Sequence, residues 1–310
     1  MTATPTHPAP AVLARLNLMA RDIKISHSIF ALPFALLATF FALWHPSTDR
    51  ATFPLGWTLT LVVICMILAR TMAMAFNRWA DAKLDAKNPR TQGRAIPSGR
   101  LPASFMLSIA IACALAFIVT CAGFWLLTAN LWPVLLSPFV LAFLAGYSYT
   151  KRFTWLCHLY LGCALALSPI AAVIATAPTQ LGSPVPWLLA AMVMCWVAGF
   201  DIIYALQDVA ADRALGTYSM PARLGVKTAL WISRLLHLTA LTMLILLCLV
   251  SDVLAIRFAM GTAIVAVLLL VEHALVWNSK THHIHMAFFT LNGLISLLLG
   301  TLGIWDIVTS

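Results

Sequence analysis

The sequence predicts an all-α integral membrane protein: about nine transmembrane helices around a central cavity, arranged as two related four-helix halves plus one. Three observations carry that expectation. Of 310 residues, 62% are hydrophobic and only 9% charged, whereas roughly a quarter of a soluble globular chain is charged. Apolar runs recur from Ser26 to the C-terminus, many near the ~20 residues that cross a bilayer. Pro- and Gly-bearing clusters such as "WHPSTD" and "TAPTQLGSPVP" punctuate them.

Taken in order, crossings are expected at residues 25–44, 53–76, 102–128, 131–150, 155–177, 186–206, 226–250, 253–277 and 284–305. Residues 1–24 read as an N-terminal cytoplasmic tail: "MTATPTHPAPAVLAR" is rich in Pro, Thr and Ala and has no apolar signal-peptide core. Residues 25–310 read as a single polytopic domain. Charge sets the orientation. Of the 19 Lys and Arg residues, only Arg50 and Arg257 fall on the other side from the rest. Basic loops stay cytoplasmic, so the chain is expected in the cell inner (plasma) membrane, N-terminus inside and C-terminus outside.

The same rule accounts for the net charge of +9; basic residues spread over loops give no nucleic-acid surface. The seven cysteines lie in apolar segments without a CxxC pair and read as small hydrophobes. "THHIHMAF" (His282, His283, His285) lacks a Cys or acid at zinc spacing and reads as a solvated loop. Tryptophans near the expected helix ends (Trp44, Trp57, Trp132, Trp155, Trp187, Trp277, Trp305) read as interface anchors.

The acids carry the functional signal. Only ten exist, and five sit in two places. In "NRWADAKLDAKNPRTQGRAIPSGR" (77–100), Asn77, Asp81 and Asp85 recur every four residues, which puts them on one helical face. Arg70 lies seven residues earlier on nearly the same face. In "DIIYALQDVAAD", Asp201, Tyr204, Asp208 and Asp212 form a second stripe. Each region then runs into a Pro-and-Arg turn, "IPSGRL" and "MPARL", a short internal repeat four helices apart. Solvated helix ends paired with nearby Lys and Arg are one reading. Asp201 inside an apolar run weakens it, because ionisable groups at membrane depth are costly and usually functional. Mg²⁺ binds through one or two carboxylates plus substrate phosphates, and Arg90, Arg94 and Arg100 suit phosphate oxygens. With no P-loop or Rossmann glycines, the expected ligand is a diphosphate with a hydrophobic tail among membrane lipid.

These residues carry a resemblance. Arg70-x6-Asn77-xxx-Asp81-xxx-Asp85, then "RTQGRAIPSG", "YSYTKRFTWLCHLYLG" and "YALQDVAADRALG", resemble the UbiA superfamily of intramembrane aromatic prenyltransferases across nearly the whole chain. "DIIYALQD", "IKISHSIFALPFAL" and "AFFTLNG" are most similar to its 4-hydroxybenzoate polyprenyltransferase type, closest to the futalosine-route menaquinone branch. The resemblance implies Mg²⁺-dependent transfer from a polyprenyl diphosphate to a small aromatic carboxylate acceptor. It implies that Asn77, Asp81 and Asp85 match the first metal motif, and Asp208 and Asp212 the second. Arg94 matches the Arg of an RPL-type turn, Arg70 an Arg near the acceptor end, and Lys151 and Arg152 the Lys-Arg after helix four. Tyr147, Tyr149 or Tyr204 is expected to stabilise an allylic cation or orient the diphosphate. Two departures stand out: Arg78 replaces an acid after Asn77, and Tyr218 replaces a Lys that Arg223 or Lys227 is expected to supply. The rival from another class is an ion-coupled transporter, since repeats with intramembrane acids also move ions.

Overall fold

The computed structural model describes residues 12–45, 48, 54–276, 284 and 286–310. Among them every regular element is helical. Residues 1–11, Asp49, Arg50, Trp277, Lys280 and the His282, His283 and His285 tract lie outside the described residues.

Within the segment expected as a tail, α1 (Val12–Asp22) is helical and buries Met19. A 3₁₀ turn at Ile25–Phe30, entered through Lys24 at φ 50°, leads into α2 (Leu32–Trp44). α3 (Leu55–Ala80) ends in the one-turn α4 (Ala82–Asp85). α5 (Ala103–Thr128), α6 (Trp132–Thr150) and α7 (Cys157–Thr176) follow. α8 (Pro184–Ala205) passes through a 3₁₀ turn at Leu206–Asp208 into α9 (Val209–Leu215) and α10 (Met220–Leu224). α11 (Val226–Val250), α12 (Ile256–Leu275) and α13 (Asn292–Thr309) complete the chain.

The second to eighth expected crossings each coincide with a helix, with ends within four residues. The first and last do not. The 3₁₀ turn delays α2 to Leu32, and a π-helical segment at Met286–Leu291 delays α13 to Asn292. Among the described residues, eight helices are long and apolar enough to cross a membrane, and Ser28–Trp44 is a shorter apolar helix. The expected all-α membrane architecture is therefore present, with eight long helices and, in place of the first expected crossing, the shorter Ser28–Trp44 among the described residues.

α8 is the hub. In its span 72% of the most apolar stretch is buried, against 22% for α3 and for α5, which leaves much of the latter two to face lipid. α8 packs on α7 and α11, while α2 fills the middle between α7 and α13. Phe30, Phe34, Trp196, Phe200 and Phe288 interlock there, with ring centroids 5.0–5.5 Å apart. Such tilted and edge-on pairs suit the aromatic quadrupole. Trp57, Trp132, Trp187 and Trp305 expose more than half of their surface, whereas Trp44 turns inward onto Phe40 at 5.1 Å.

Small residues set the closest contacts. A Cβ at Gly162 would collide with the backbone carbonyl of Met194, so α7 and α8 meet there at backbone distance. Gly162→Ala is expected to lower unfolding stability by about 1–3 kcal/mol, the usual cost of forcing volume into a packed contact. Tryptophan-monitored melting in detergent checks it; an unchanged midpoint contradicts the close approach.

Candidate active site

Both acid segments lie where a long helix breaks. α3 stops at Asp81 before α4, and α8 stops before the 3₁₀ turn that ends at Asp208. Each break turns a carboxylate out of the helical ladder towards a neighbour.

Asp81 is 1% exposed. Its carboxylate accepts from Lys151 Nζ at 2.5 Å and Asn77 Nδ2 at 3.0 Å, with Arg152 at 3.4 Å. Asn77 also reaches Ser148 Oγ at 3.4 Å. Asp85 accepts from Arg94 Nη1 at 2.8 and 2.7 Å on its two oxygens. Asp208 takes Arg90 side-on, Nε at 2.7 Å and Nη2 at 2.5 Å, plus Asn88 Nδ2 at 3.0 Å. Arg90 also donates to the Tyr204 hydroxyl at 3.1 Å. Burial opposes the charge on Arg90, but the Asp208 hydrogen bond and the Tyr204 and Asp208 charges raise its pKa above the ordinary arginine value. Asp212 accepts from the hydroxyls of Thr217 at 2.7 Å and Ser219 at 2.6 Å.

The second stripe therefore divides. Asp201, still within α8, meets His158, Oδ2 to Nδ1 at 2.7 Å, whereas Asp208 lies beyond it at the end of the 3₁₀ turn. The arginines divide as well. Arg100 donates to the Gly93 carbonyl at 2.5 Å and to Ser98, so it shapes its own loop. Arg223 lies over the Tyr218 ring at 3.7 Å, and Lys227 is exposed.

Arg70 stands apart from the acids. It lines an apolar chamber of about 380 Å³ with Tyr147, Val62, Phe117, Leu144 and Ala175. One guanidinium nitrogen donates to the Lys24 carbonyl at 3.2 Å, while its Nε is buried without a partner among the described residues. Tyr147 joins chamber to acids, because its neighbour Ser148 bonds Asn77, which in turn donates to Asp81. From Tyr147 to Pro133, both on the wall, α6 rises about 20 Å, so the chamber runs most of a bilayer's depth. Phe139 and Ile67 also line it and are 73% and 41% exposed; there its wall is also the bundle's outer face.

Among the described residues no three His, Cys, Asp or Glu side chains gather as a metal-holding group. Each of Asp81, Asp85 and Asp208 faces a Lys or Arg instead. The donor set is still hard oxygen, and Asn88 and Arg90 beside the first segment reach Asp208 of the second. That facing arrangement fits a divalent ion held by one or two carboxylates together with substrate phosphates.

A family model described as the UbiA prenyltransferase family matches residues 31–294. The chain belongs to the UbiA prenyltransferase family. It is 32% identical over 212 residues to a 4-hydroxybenzoate octaprenyltransferase of Nitrosomonas europaea, covering 68% of each chain. A relative of the same name from Pseudoalteromonas translucida is 27% identical over 267 residues, 82% of this chain and 86% of that one. Among solved structures, the apo UbiA homologue of Aeropyrum pernix K1 superposes with a TM-score of 0.78 at 30% identity, over 91% of this chain and 98% of that one. The Archaeoglobus fulgidus homologue bound to GPP and Mg²⁺ shares the fold, with a TM-score of 0.69 at 17% identity, over 94% and 99%. As a family enzyme, the chain is a multi-pass prenyltransferase rather than an ion-coupled transporter.

In this prenyltransferase several site neighbours escape sequence patterning. Arg78, one of the departures, is 6% exposed. It grips the Asp22 carbonyl at 3.3 and 3.4 Å, its carboxylate at 3.4 Å, and Asn77 Oδ1 at 3.1 Å. Asp22 Oδ1 in turn accepts from the Ala95 amide at 2.9 Å, beside Arg94. Asn88, Ser148 and His158 carry no spacing signal; their partners lie 120, 71 and 43 residues away. The Arg90–Asp208 clasp pins the loop after α4. Asp208→Ala is expected to speed amide hydrogen exchange across residues 86–100 by at least about tenfold, since it removes the three hydrogen bonds from Asn88 and Arg90. Exchange confined to α9 contradicts that clasp.

Proposed function

We propose that this enzyme transfers a polyprenyl group from a polyprenyl diphosphate to an aromatic acid of the 4-hydroxybenzoate type, in respiratory quinone biosynthesis. One observation carries the reading: an apolar chamber begins at a half-buried arginine and a tyrosine, directly beside paired acids and bases. The mouth suits a diphosphate, the chamber an isoprenoid tail, and Arg70 a carboxylate on the ring. The relatives' shared name agrees.

In this reading Asp81, Asp85, Asp208 and Asp212 hold Mg²⁺, which supplies positive charge to the departing diphosphate. Arg90, Arg94, Lys151 and Arg152 exchange their carboxylate partners for diphosphate oxygens, Arg in a bidentate grip. Asn77 orients Asp81. Tyr204, with Tyr147, presents a ring face to the allylic cation, worth roughly 0.5–2 kcal/mol. The chamber excludes water, so the cation meets the aromatic carbon and not a hydroxyl. Basic residues around the mouth support a cytoplasmic N-terminus, with residues 1–24 ahead of a single domain over 25–310 and the C-terminus outside.

The test uses purified protein in detergent with Mg²⁺ and a polyprenyl diphosphate. It supplies 4-hydroxybenzoate or 1,4-dihydroxy-6-naphthoate and follows product by mass spectrometry. Product from 4-hydroxybenzoate is expected; product from the naphthoate alone moves the assignment to menaquinone synthesis. Asp81→Ala is expected to lose at least about 10²-fold in kcat while remaining folded, and normal turnover refutes its role. Arg70→Gln is expected to raise KM for the acceptor at least about tenfold and leave KM for the diphosphate near wild type, as loss of a charged hydrogen bond requires. A shift in the diphosphate KM instead reassigns Arg70.

A further inference from the structure

Far from the acids, two thiols face each other on the chamber wall. Cys65 of α3 and Cys121 of α5 have sulfurs 4.0 Å apart, and both line the chamber. Cys65 lies five residues before Arg70 on α3, about 7.5 Å along the axis. Both are free thiols, and no other cysteine pair makes such a contact among the described residues. Their surroundings are apolar: Met72, Phe117 and Leu141 pack with Cys121.

We propose that Cys65 and Cys121 form a dithiol site opening on the chamber, and that its ligand class is the neutral trivalent organoarsenicals. Separation and environment select that class. The pair stands reduced, its sulfurs 4.0 Å apart against about 2.05 Å in a disulfide, so it is a dithiol that one atom can bridge. Two thiolates on one tetrahedral ion at about 2.3 Å each stand roughly 3.8 Å apart, so one bridging atom fits the gap. A dithiolate of a monovalent ion keeps net charge and one of a tetrahedral divalent ion keeps open positions, which apolar walls penalise. Trivalent arsenic bound to one aryl carbon and two sulfurs is neutral and complete, and its aryl group has chamber space to occupy. The step is balanced without a redox partner. Ar–As=O and two S–H groups give Ar–As(S)₂ and one water; two As–S bonds form, and both thiol protons leave on the arsenical oxygen.

This site does not depend on the proposed reaction, and mass rather than activity reads it. Full-length protein in detergent is treated with phenylarsine oxide, washed with excess monothiol, alkylated with N-ethylmaleimide and mapped by peptide mass spectrometry. The expected result is one arsenical per chain, with Cys65 and Cys121 both unalkylated until a dithiol is added. Closure of the second As–S bond is intramolecular, so the adduct should outlast a single-thiol adduct by about 100-fold or more. Cys65→Ala and Cys121→Ala should each lose the adduct, while Cys113→Ala keeps it. Alkylation of either Cys65 or Cys121 in arsenical-treated wild type overturns the proposal, a result that needs no variant to fold. Retention of the adduct in both alanine variants overturns it equally.

Discussion

Charge cannot be left alone beside a bilayer, and that constraint organises the molecule. A buried carboxylate costs several kcal/mol unless matched, and Asp81, Asp85 and Asp208 are each matched by a base from another part of the chain. Lys151 and Arg152, past the end of α6, close on Asp81. Arg94 of the loop after α4 closes on Asp85, and Arg90 of that loop crosses to Asp208. Three separate connections are thereby tied into one mouth. The interactions that assemble the site are also those that finish the fold on that side.

The chamber follows from a different economy. α8 is buried on nearly every face and forms the post against which α7 and α11 lean. Glycine at 162 lets α7 lie against α8 at backbone distance, while α3, α5 and α6 keep much of their surface for lipid. Space then opens on the α3–α6–α7 side, where packing is looser. Apolar walls are cheap there because the surrounding solvent is itself apolar. Among its described lining residues Arg70 alone carries a charge, and Tyr147, beside the Ser148–Asn77 contact, lies at the end nearest the acids.

Much of this was legible because it is periodic. Long apolar runs placed the second to eighth crossings, and four-residue spacing placed Asn77 and Asp81 on one face, where they hydrogen-bond at 3.0 Å. What was not legible is what periodicity does not encode. Helix breaks at Asp81 and Asp208 re-aim the carboxylates that follow them. The 3₁₀ entry to α2 shortens a span whose composition reads as continuous with its neighbours. Asp201 looked like a member of the second stripe, yet its partner His158 lies 43 residues away. Arg100 looked like a phosphate ligand, and its loop's own carbonyl claims it. Sequence identifies the charged residues; only the turns between helices decide which ones meet.

Arg78 shows how a motif absorbs a reversed charge. An arginine in place of an acid changes the local charge by two units, which would push cations from a diphosphate mouth or repel Arg94. The structure pairs Arg78 with an acid from α1 instead. Its guanidinium meets Asp22 at the end of α1, and Asp22 uses its other carboxylate oxygen to hold the Ala95 amide. The lost acid therefore becomes a strut joining α1, the end of α3 and the loop that carries Arg94. A second consequence falls on Asn77, whose carbonyl oxygen accepts from Arg78 while its amide donates to Asp81. In the proposed function this geometry lets Asn77 orient Asp81 through its amide, while its oxygen keeps a second lone pair for an ion. Four aspartates then share the ion and the asparagine aims one of them.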